Sequence, residues 1–216
     1  MLYYIFIRII LKYIFALLVF LPLYAGTYPE FNQNELQKIK KENPISSNRI
    51  VDYTQYLTSC KSYPPNIQLN KINFYLNRLL PQYDDVINNK LDNWATPKEF
   101  LRVGYGDCED YVIIKYYSLI KLGFDEKKLY ITVVKENFHG GGHMVLCYFK
   151  TKNEPPLVLD NLSFKILSLE KRSDLSAQVF INSTGVYKIM PDYELVKISN
   201  KYKKFENLKK RVKENH

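Results

Sequence analysis

The chain has 216 residues, of which 46% are hydrophobic and 25% are charged. A chain of this size can bury one substantial core, and the absence of internal repeats or low-complexity tracts argues against a repeat architecture or a second domain. The formal net charge of +9 would suggest nucleic acid in a cytoplasmic protein, but the basic excess is concentrated near the end of the chain. We therefore predict no nucleic-acid partner.

The first 25 residues have the pattern of a secretory signal peptide. Arg8 and Lys12 precede an uncharged stretch over residues 13–25, which is too short to span a bilayer comfortably, and Leu23-Tyr24-Ala25 supplies a cleavage site. The alternative is an uncleaved anchor, because residues 2–7 are also apolar. Either arrangement places residues 26–216, predicted to form a single domain, outside the cytoplasm. Since no wall-sorting signal is visible, the periplasm is the expected compartment.

Helical patterns dominate the first half of the remaining chain. Hydrophobic periodicity predicts helices near residues 33–41, 47–57 and 69–80, and a short helix after Thr96-Pro97. These helices precede any strand pattern.

The next helix is predicted to begin at or beside Cys108. Gly104 and Gly106 interrupt the preceding pattern. Asp107 is a good N-cap residue, and Asp110 follows three residues later in the manner of a capping box. The sequence thus places a cysteine at the amino end of a helix.

The body of this helix is apolar on nearly every side. Only Lys115, Ser118 and Lys121, spaced three apart, mark a narrow stripe that we expect to face solvent before Gly123 ends the helix. The pattern predicts a central helix that is buried on most sides.

A thiol at the amino end of a helix faces unpaired N–H groups and the positive end of the helix dipole, which favour the thiolate. The carboxylates of Asp107, Glu109 and Asp110 have the opposite effect and would raise the thiol pKa, unless they point away or a cation lies among them. The alternative interpretation is that Cys108 is a small buried apolar residue.

Strands are predicted near residues 130–134, 143–149, 157–159, 178–181 and 186–189. His143 opens the second of these strands, and Asp160 directly follows the third. If these two strands form a hairpin, Asp160 lies near His143. Helices followed by strands predict an α+β fold with an antiparallel sheet against the helix that begins at Cys108.

Cys108, His143 and Asp160 together form a candidate catalytic triad of nucleophile, base and orienting carboxylate. His139 lies in a glycine-rich loop and His216 is the last residue, so both are weaker candidates for the base. A structural role for His143 and a turn-capping role for Asp160 are the alternatives.

The other two cysteines do not indicate a disulfide framework. If Cys108 stays free, only a bridge between Cys60 and Cys147 is possible. Cys147 lies in an apolar strand pattern and fits better as a core residue, and a solvent-exposed Cys60 would be unremarkable.

The basic end of the chain has an amphipathic pattern. Ile198, Tyr202, Phe205, Leu208 and Val212 follow one another at helical spacing and predict a helix with a narrow buried seam. The surrounding lysines are expected to form a solvated face. The alternative is a peripheral contact of this basic face with anionic lipid or with an acidic partner.

Several stretches resemble the motifs of the bacterial transglutaminase-like cysteine proteinases. They are KINFYLN at 71–77, WATPKEF at 94–100, GYGDCEDY at 104–111, HMVL at 143–146 and LVLDNL at 157–162, within a similarity that runs from about residue 68 to about residue 185. The resemblance implies a papain/transglutaminase-like fold and the triad Cys108, His143 and Asp160. It also implies a calcium ion bound through Asp107 and Glu109, which would offset the negative charge beside the thiol.

The resemblance further implies a substrate and a regulator. A well-known family member is a periplasmic protease that clips a large biofilm adhesin from the cell surface. By analogy, this chain would be a calcium-dependent cysteine endopeptidase that cleaves such an adhesin near its N-terminus at a small-residue site such as Ala-Ala. An inner-membrane receptor for cyclic di-GMP would sequester it. A transglutaminase-like acyl transferase and a non-catalytic binding module of the same fold are the alternatives.

Overall fold

The computed structural model describes residues 28–79, 94–138 and 140–215. The predicted signal peptide over residues 1–25, His139 and His216 lie outside these ranges. No helix in the described ranges combines the length and the apolar character that a membrane span requires.

Three helices open the described chain: α1 (Gln33–Glu42), α2 (Pro44–Cys60) and α3 (Pro65–Leu76). Their existence is confirmed, but α2 and α3 begin three and four residues before their predicted starts. Each begins with a proline at its first position, where the fixed φ angle of proline favours a helix and its missing N–H is not needed. Helix α3 also ends at Leu76 rather than at residue 80.

Helix α4 (Pro97–Val103) precedes the candidate nucleophile, and helix α5 (Cys108–Lys121) begins at it. A reciprocal capping box between Thr96 and Glu99 starts α4. Gly104 ends it with a φ of 87°, and the Arg49 side chain occupies the space that a Cβ at this position would need. Helix α5 begins at Cys108, as predicted.

In the part of the chain that the structure describes, seven strands form one antiparallel sheet in the order β4-β3-β2-β1-β5-β6-β7. Their bounds are β1 (Leu129–Glu136), β2 (Gly142–Tyr148), β3 (Leu157–Asp160), β4 (Ser163–Ser168), β5 (Leu175–Asn182), β6 (Gly185–Ile189) and β7 (Leu195–Ser199). The sequence pattern missed β4 and β7. Both are edge strands in which no side chain is fully buried, so they lack a clear apolar alternation.

The sheet packs helices on one face and a smaller aromatic cluster on the other. Helix α5 contributes residues such as Ile113 and Leu119 to the main core, which it shares with α2, α3 and α4. Tyr130, Phe149 and Phe180 pack edge-to-face in the second cluster. The chain therefore has the predicted α+β fold, with the helix that begins at Cys108 packed against an antiparallel sheet.

The prediction that the polar stripe of α5 faces solvent is wrong for Lys115 and Ser118. Lys115 and Ser118 are both fully buried, because α2 and α3 cover this side of the helix. The Ser118 hydroxyl lies 2.8 Å from the hydroxyl of Tyr53 on α2. Lys115 Nζ donates to Asn73 Oδ1 on α3 at 2.8 Å. The polar residues form buried hydrogen bonds instead of facing water.

The C-terminal helix α6 (Lys203–Glu214) buries Phe205, Leu208 and Val212, as the seam pattern predicts. Ile198 does not belong to it. Ile198 lies in the edge strand β7 and is 50% exposed.

All three cysteines fall within the described residues, and all are free. Cys60 and Cys147 are both fully buried, so Cys147 is a core residue as expected, whereas an exposed Cys60 is not observed.

Candidate active site

Cys108 is held at the start of α5 by the residues around it. Asp107 is the N-cap, and its Oδ1 accepts a hydrogen bond from the Asp110 N–H. The Asp110 carboxylate accepts a hydrogen bond from the Ala95 N–H at 2.7 Å and packs where a Cβ on Gly106 would lie. A larger residue at position 106 would displace that carboxylate, so the packing of Asp110 favours glycine at this position.

The thiol of Cys108 lies between two opposing electrostatic influences. Its Sγ donates to Glu109 Oε2 at 2.9 Å, and it accepts a hydrogen bond from the backbone N–H of Met144 on β2. Burial, the Glu109 charge and the Asp107 charge all raise the pKa of Cys108, and the Met144 N–H lowers it only in part. The described residues by themselves therefore favour the thiol over the thiolate.

His143 and Asp160 are brought together by the β2–β3 hairpin that the sequence predicts. Leu146 on β2 pairs with Leu159 on β3, which places the start of β2 beside the end of β3. His143 Nε2 donates to Asp160 Oδ1 at 2.9 Å. The His143 and Asp160 side chains are 9% and 1% exposed. The contact fixes the imidazole and leaves Nδ1 as the ring nitrogen that can exchange a proton with another group. Since Met144 directly follows His143, its hydrogen bond to Cys108 places the thiol beside the start of β2.

Asp160 is surrounded by donors. Besides His143, the Leu162 N–H donates to its Oδ1 at 2.9 Å, and Arg172 Nη2 donates to its Oδ2 at 2.7 Å. Burial alone would raise the pKa of Asp160, but its contacts with His143, Leu162 and Arg172 hold it below the ordinary value. Asp160 is therefore an ionised carboxylate that can stabilise a protonated imidazole.

Arg172 is the residue of this site that the sequence analysis missed. It is buried and also binds the carboxylate of Asp174, with contacts of 2.6 Å and 2.8 Å. A buried carboxylate needs a cationic or hydrogen-bonding partner, but nothing in the sequence around residue 172 indicates which carboxylate the arginine binds.

Asp107 and Glu109 offer oxygen ligands on both sides of Cys108. Carboxylate oxygens are the ligands that calcium prefers, and both charges act on the same thiol. Within residues 28–79, 94–138 and 140–215, no group of three or more His, Cys, Asp or Glu side chains could hold a metal ion. Asp107 and Glu109 provide oxygens of the type that calcium binds, and a complete calcium site would need further oxygens from backbone carbonyls, amides or water.

Comparisons with known proteins agree with these observations. Residues 51–175 match the family model of the bacterial transglutaminase-like cysteine proteinases, BTLCP. The fold also matches solved structures of LapG from Legionella pneumophila. A calcium-bound LapG structure is 31% identical with a TM-score of 0.68, and the match covers 82% of this chain and 98% of LapG.

An EGTA-treated LapG structure is 31% identical with a TM-score of 0.70, over 82% of this chain and 97% of LapG. A third LapG structure is 32% identical with a TM-score of 0.68, over 82% and 95%. No curated protein sequence matches the chain.

Proposed function

The chain belongs to the bacterial transglutaminase-like cysteine proteinases, and from this premise we propose that it is a periplasmic, calcium-dependent cysteine endopeptidase that cleaves a large cell-surface adhesin near its N-terminus. The observation that carries the catalytic part of the proposal is the placement of the Cys108 thiol at a helix amino end, beside the strand whose His143 is hydrogen bonded to Asp160. Rigid elements position all three side chains.

In the proposed reaction, His143 Nδ1 accepts the proton of Cys108 Sγ, and the sulfur attacks the carbonyl carbon of the scissile peptide bond. The C–N bond then breaks, and the imidazolium returns its proton to the leaving amine. The thioester left on Cys108 is hydrolysed by a water molecule whose proton passes to His143. Sulfur is released when the thioester C–S bond breaks, and the proton on His143 returns to it.

Asp160 and the helix terminus support these steps. The ionised Asp160 holds the imidazole through Nε2 and stabilises its positive charge while the proton resides on it. The backbone N–H of Cys108, in the first turn of α5, is the proposed first donor to the oxyanion that forms on the attacked carbonyl.

Asp107 and Glu109 would hold the calcium ion. When bound there, the ion supplies positive charge that offsets the two carboxylates and so makes a thiolate at Cys108 less costly. The support from this chain is the raised pKa of Cys108, to which both carboxylates contribute after burial. The related LapG was solved in a calcium-bound form.

The substrate and the regulator are proposed from the family resemblance. The adhesin would be cut at a small-residue site such as Ala-Ala, and its release would reduce biofilm attachment. An inner-membrane receptor for cyclic di-GMP would inhibit the protease by binding it. The signal-peptide pattern of residues 1–25 supports export to the periplasm.

The test uses the whole chain, expressed with its first 25 residues and recovered from the periplasmic fraction. It is incubated with an N-terminal fragment of a candidate adhesin that contains an Ala-Ala bond, in calcium or in EGTA, with Cys108→Ala as the matched control. We expect cleavage only by the wild-type protein in calcium. An intact fragment in every candidate reaction would contradict the proposed substrate. Incorporation of a labelled amine in place of hydrolysis would identify an acyl transferase.

A further inference from the structure

Two asparagines at the C-terminal end of α3, Asn73 in its last turn and Asn77 at its C-cap, hold the turn that carries Asp160. Asn77 Nδ2 donates to the Asp160 carbonyl oxygen at 2.7 Å and to the Ser163 carbonyl oxygen at 3.0 Å. Asn73, one helical turn earlier and fully buried, donates through Nδ2 to the same Ser163 carbonyl at 2.9 Å. Two side-chain amides, spaced four residues apart at the end of α3, thus bind the β3–β4 turn.

The orientation of the Asn73 amide is determined by Lys115. Lys115 Nζ donates to Asn73 Oδ1 at 2.8 Å, and a protonated lysine has no lone pair with which to accept a hydrogen bond from the amide nitrogen instead. The Oδ1 end must therefore face Lys115, and the Nδ2 end must face the turn. This contact gives a buried lysine, which the proposed chemistry does not use, a specific role.

Lys115 also lies within electrostatic reach of the carboxylate that the turn presents. Burial lowers the pKa of Lys115 to about 7, and the negative charge of Asp160 acts in the opposite direction. In both protonation states the Nζ retains a hydrogen to donate to Asn73, so the hydrogen bond does not require the charge.

These contacts connect the helix of the nucleophile to the turn of the orienting carboxylate. Lys115 lies two turns after Cys108 on α5, and Asn73 on α3 links it to the turn, which Asn77 at the C-cap of α3 also binds. On the other side of the turn, Arg172 and His143 bind the Asp160 side chain. The backbone and the side chain of Asp160 are held by separate sets of donors.

We propose that Asn77, Asn73 and Lys115 are positioning residues that set the Asp160 carboxylate against His143. The proposal rests on the proposed function, since it assigns these residues to the orientation of the proposed base. A displacement of about 1 Å at a catalytic group can reduce the rate on the order of a hundredfold. We therefore expect a loss of that size in kcat, with KM little changed, when the Asn77 contact is removed.

The experiment compares Asn77→Leu, which removes the amide donor and keeps the branched shape and the number of side-chain heavy atoms, with Asn70→Leu at an exposed position of α3. The readouts are kcat and KM for the adhesin fragment and the NMR chemical shift of the His143 Nε2–H proton, which reports its hydrogen bond to Asp160. The second readout needs no peptide substrate, so it remains available if the proposed substrate is wrong. Asp160→Asn provides the reference, because it removes the negative charge beside the imidazole.

We expect Asn77→Leu to reduce kcat about a hundredfold and to move the chemical shift of the His143 Nε2–H proton in the same direction as Asp160→Asn, while Asn70→Leu matches the wild type. Asn73→Asp is the second variant, in case Asn77→Leu does not fold. It keeps an acceptor for Lys115 but places a carboxylate oxygen against the turn carbonyls. It should shift both readouts as well.

A folded Asn77→Leu or Asn73→Asp protein with wild-type readouts, alongside a shifted Asp160→Asn protein, would overturn the proposal and leave the proposed function intact. Wild-type readouts in Asp160→Asn itself would refute the orienting role of Asp160, and the positioning role with it.

Discussion

Cys108 and Asp160 are two acidic groups of the proposed site whose surroundings differ in charge. Burial raises the pKa of both. At Asp160, the contacts with His143, Leu162 and Arg172 reverse this effect and stabilise the ionised form. At Cys108, the carboxylates of Glu109 and Asp107 add to it. The difference therefore comes from the neighbouring charges and not from the degree of burial.

The described residues provide the groups that stabilise ionised Asp160, but they do not provide the positive charge that a thiolate at Cys108 needs. The Asp160 carboxylate, proposed to orient the base, is ionised and held by donors from the described residues. Cys108, the proposed nucleophile, faces an excess of negative charge that a cation or a protonated His143 would have to offset before a thiolate forms. We expect an external cation to be needed for thiolate formation at Cys108 but not for the ionisation of Asp160.

The largest effect is expected from Cys108→Ala, which removes the nucleophile. Cleavage should be abolished, and the fold should be retained because alanine favours the helix that begins there. Activity against the adhesin fragment and the thermal unfolding midpoint measure the two effects. Persistent turnover by the purified variant would exclude Cys108 as the nucleophile.

Asp160→Asn tests the opposite end of the comparison. The variant keeps the shape of the side chain but loses the charge that stabilises protonated His143. By analogy with serine triads, kcat should fall on the order of ten-thousand-fold. His143→Ala should be nearly as damaging. A wild-type kcat in Asp160→Asn would assign the orienting role to another group.

Asp107→Ala and Glu109→Ala test the need for an external cation. Both should lose calcium binding, measured by isothermal titration calorimetry, together with peptidase activity. Removal of calcium from the wild-type protein with EGTA should abolish its peptidase activity without unfolding it. Asp107→Ala also removes a helix cap worth about 1 kcal/mol, so Asp107→Asn, which preserves the cap, is the control for stability. Full activity in EGTA and no heat of calcium binding would contradict the metal proposal.

Glu109→Gln tests the effect of a single carboxylate charge on the Cys108 thiol. In EGTA, loss of the negative charge and of the acceptor at 2.9 Å should lower the pKa of Cys108. A decrease of about one pKa unit would make alkylation by iodoacetamide about tenfold faster at neutral pH. The rate as a function of pH measures the change. An unchanged rate would mean that Glu109 does not oppose the thiolate.

The smallest effect is expected from Asp110→Ala. This carboxylate accepts a hydrogen bond from the Ala95 N–H, in contrast to Glu109, which contacts the thiol. Its removal leaves a partly buried donor without that partner and should reduce the free energy of unfolding by about 1–3 kcal/mol. The alkylation profile of Cys108 should not change. A shifted profile would add Asp110 to the charges that act on the thiol.

Several features of this site could be predicted because their determinants are local. The helix begins at Cys108 because glycines break the preceding segment and Asp107 caps the next one. The hairpin of β2 and β3 follows from two short apolar segments with a short connection, and it brings Asp160 to His143. Cap chemistry and strand alternation act over a few residues, so the sequence alone was sufficient.

Other features depend on what packs against each element. The spacing of Lys115, Ser118 and Lys121 correctly identified the polar side of α5, but a polar side can face either solvent or another helix. Here α2 and α3 cover it and provide Tyr53 and Asn73 as hydrogen-bond partners. Ile198 likewise fitted the helical seam by spacing, although the chain places it in an edge strand.

The order of the candidate triad, the elements that carry it and the acidic residues on either side of the cysteine can all be read from local sequence patterns. The pairing of Arg172 with Asp160, and the link from Lys115 through Asn73 to the turn that bears this carboxylate, depend on how the elements pack in three dimensions. The physical reason is that a buried charge must find its partner in space, and these partners come from elements that no local pattern relates to one another.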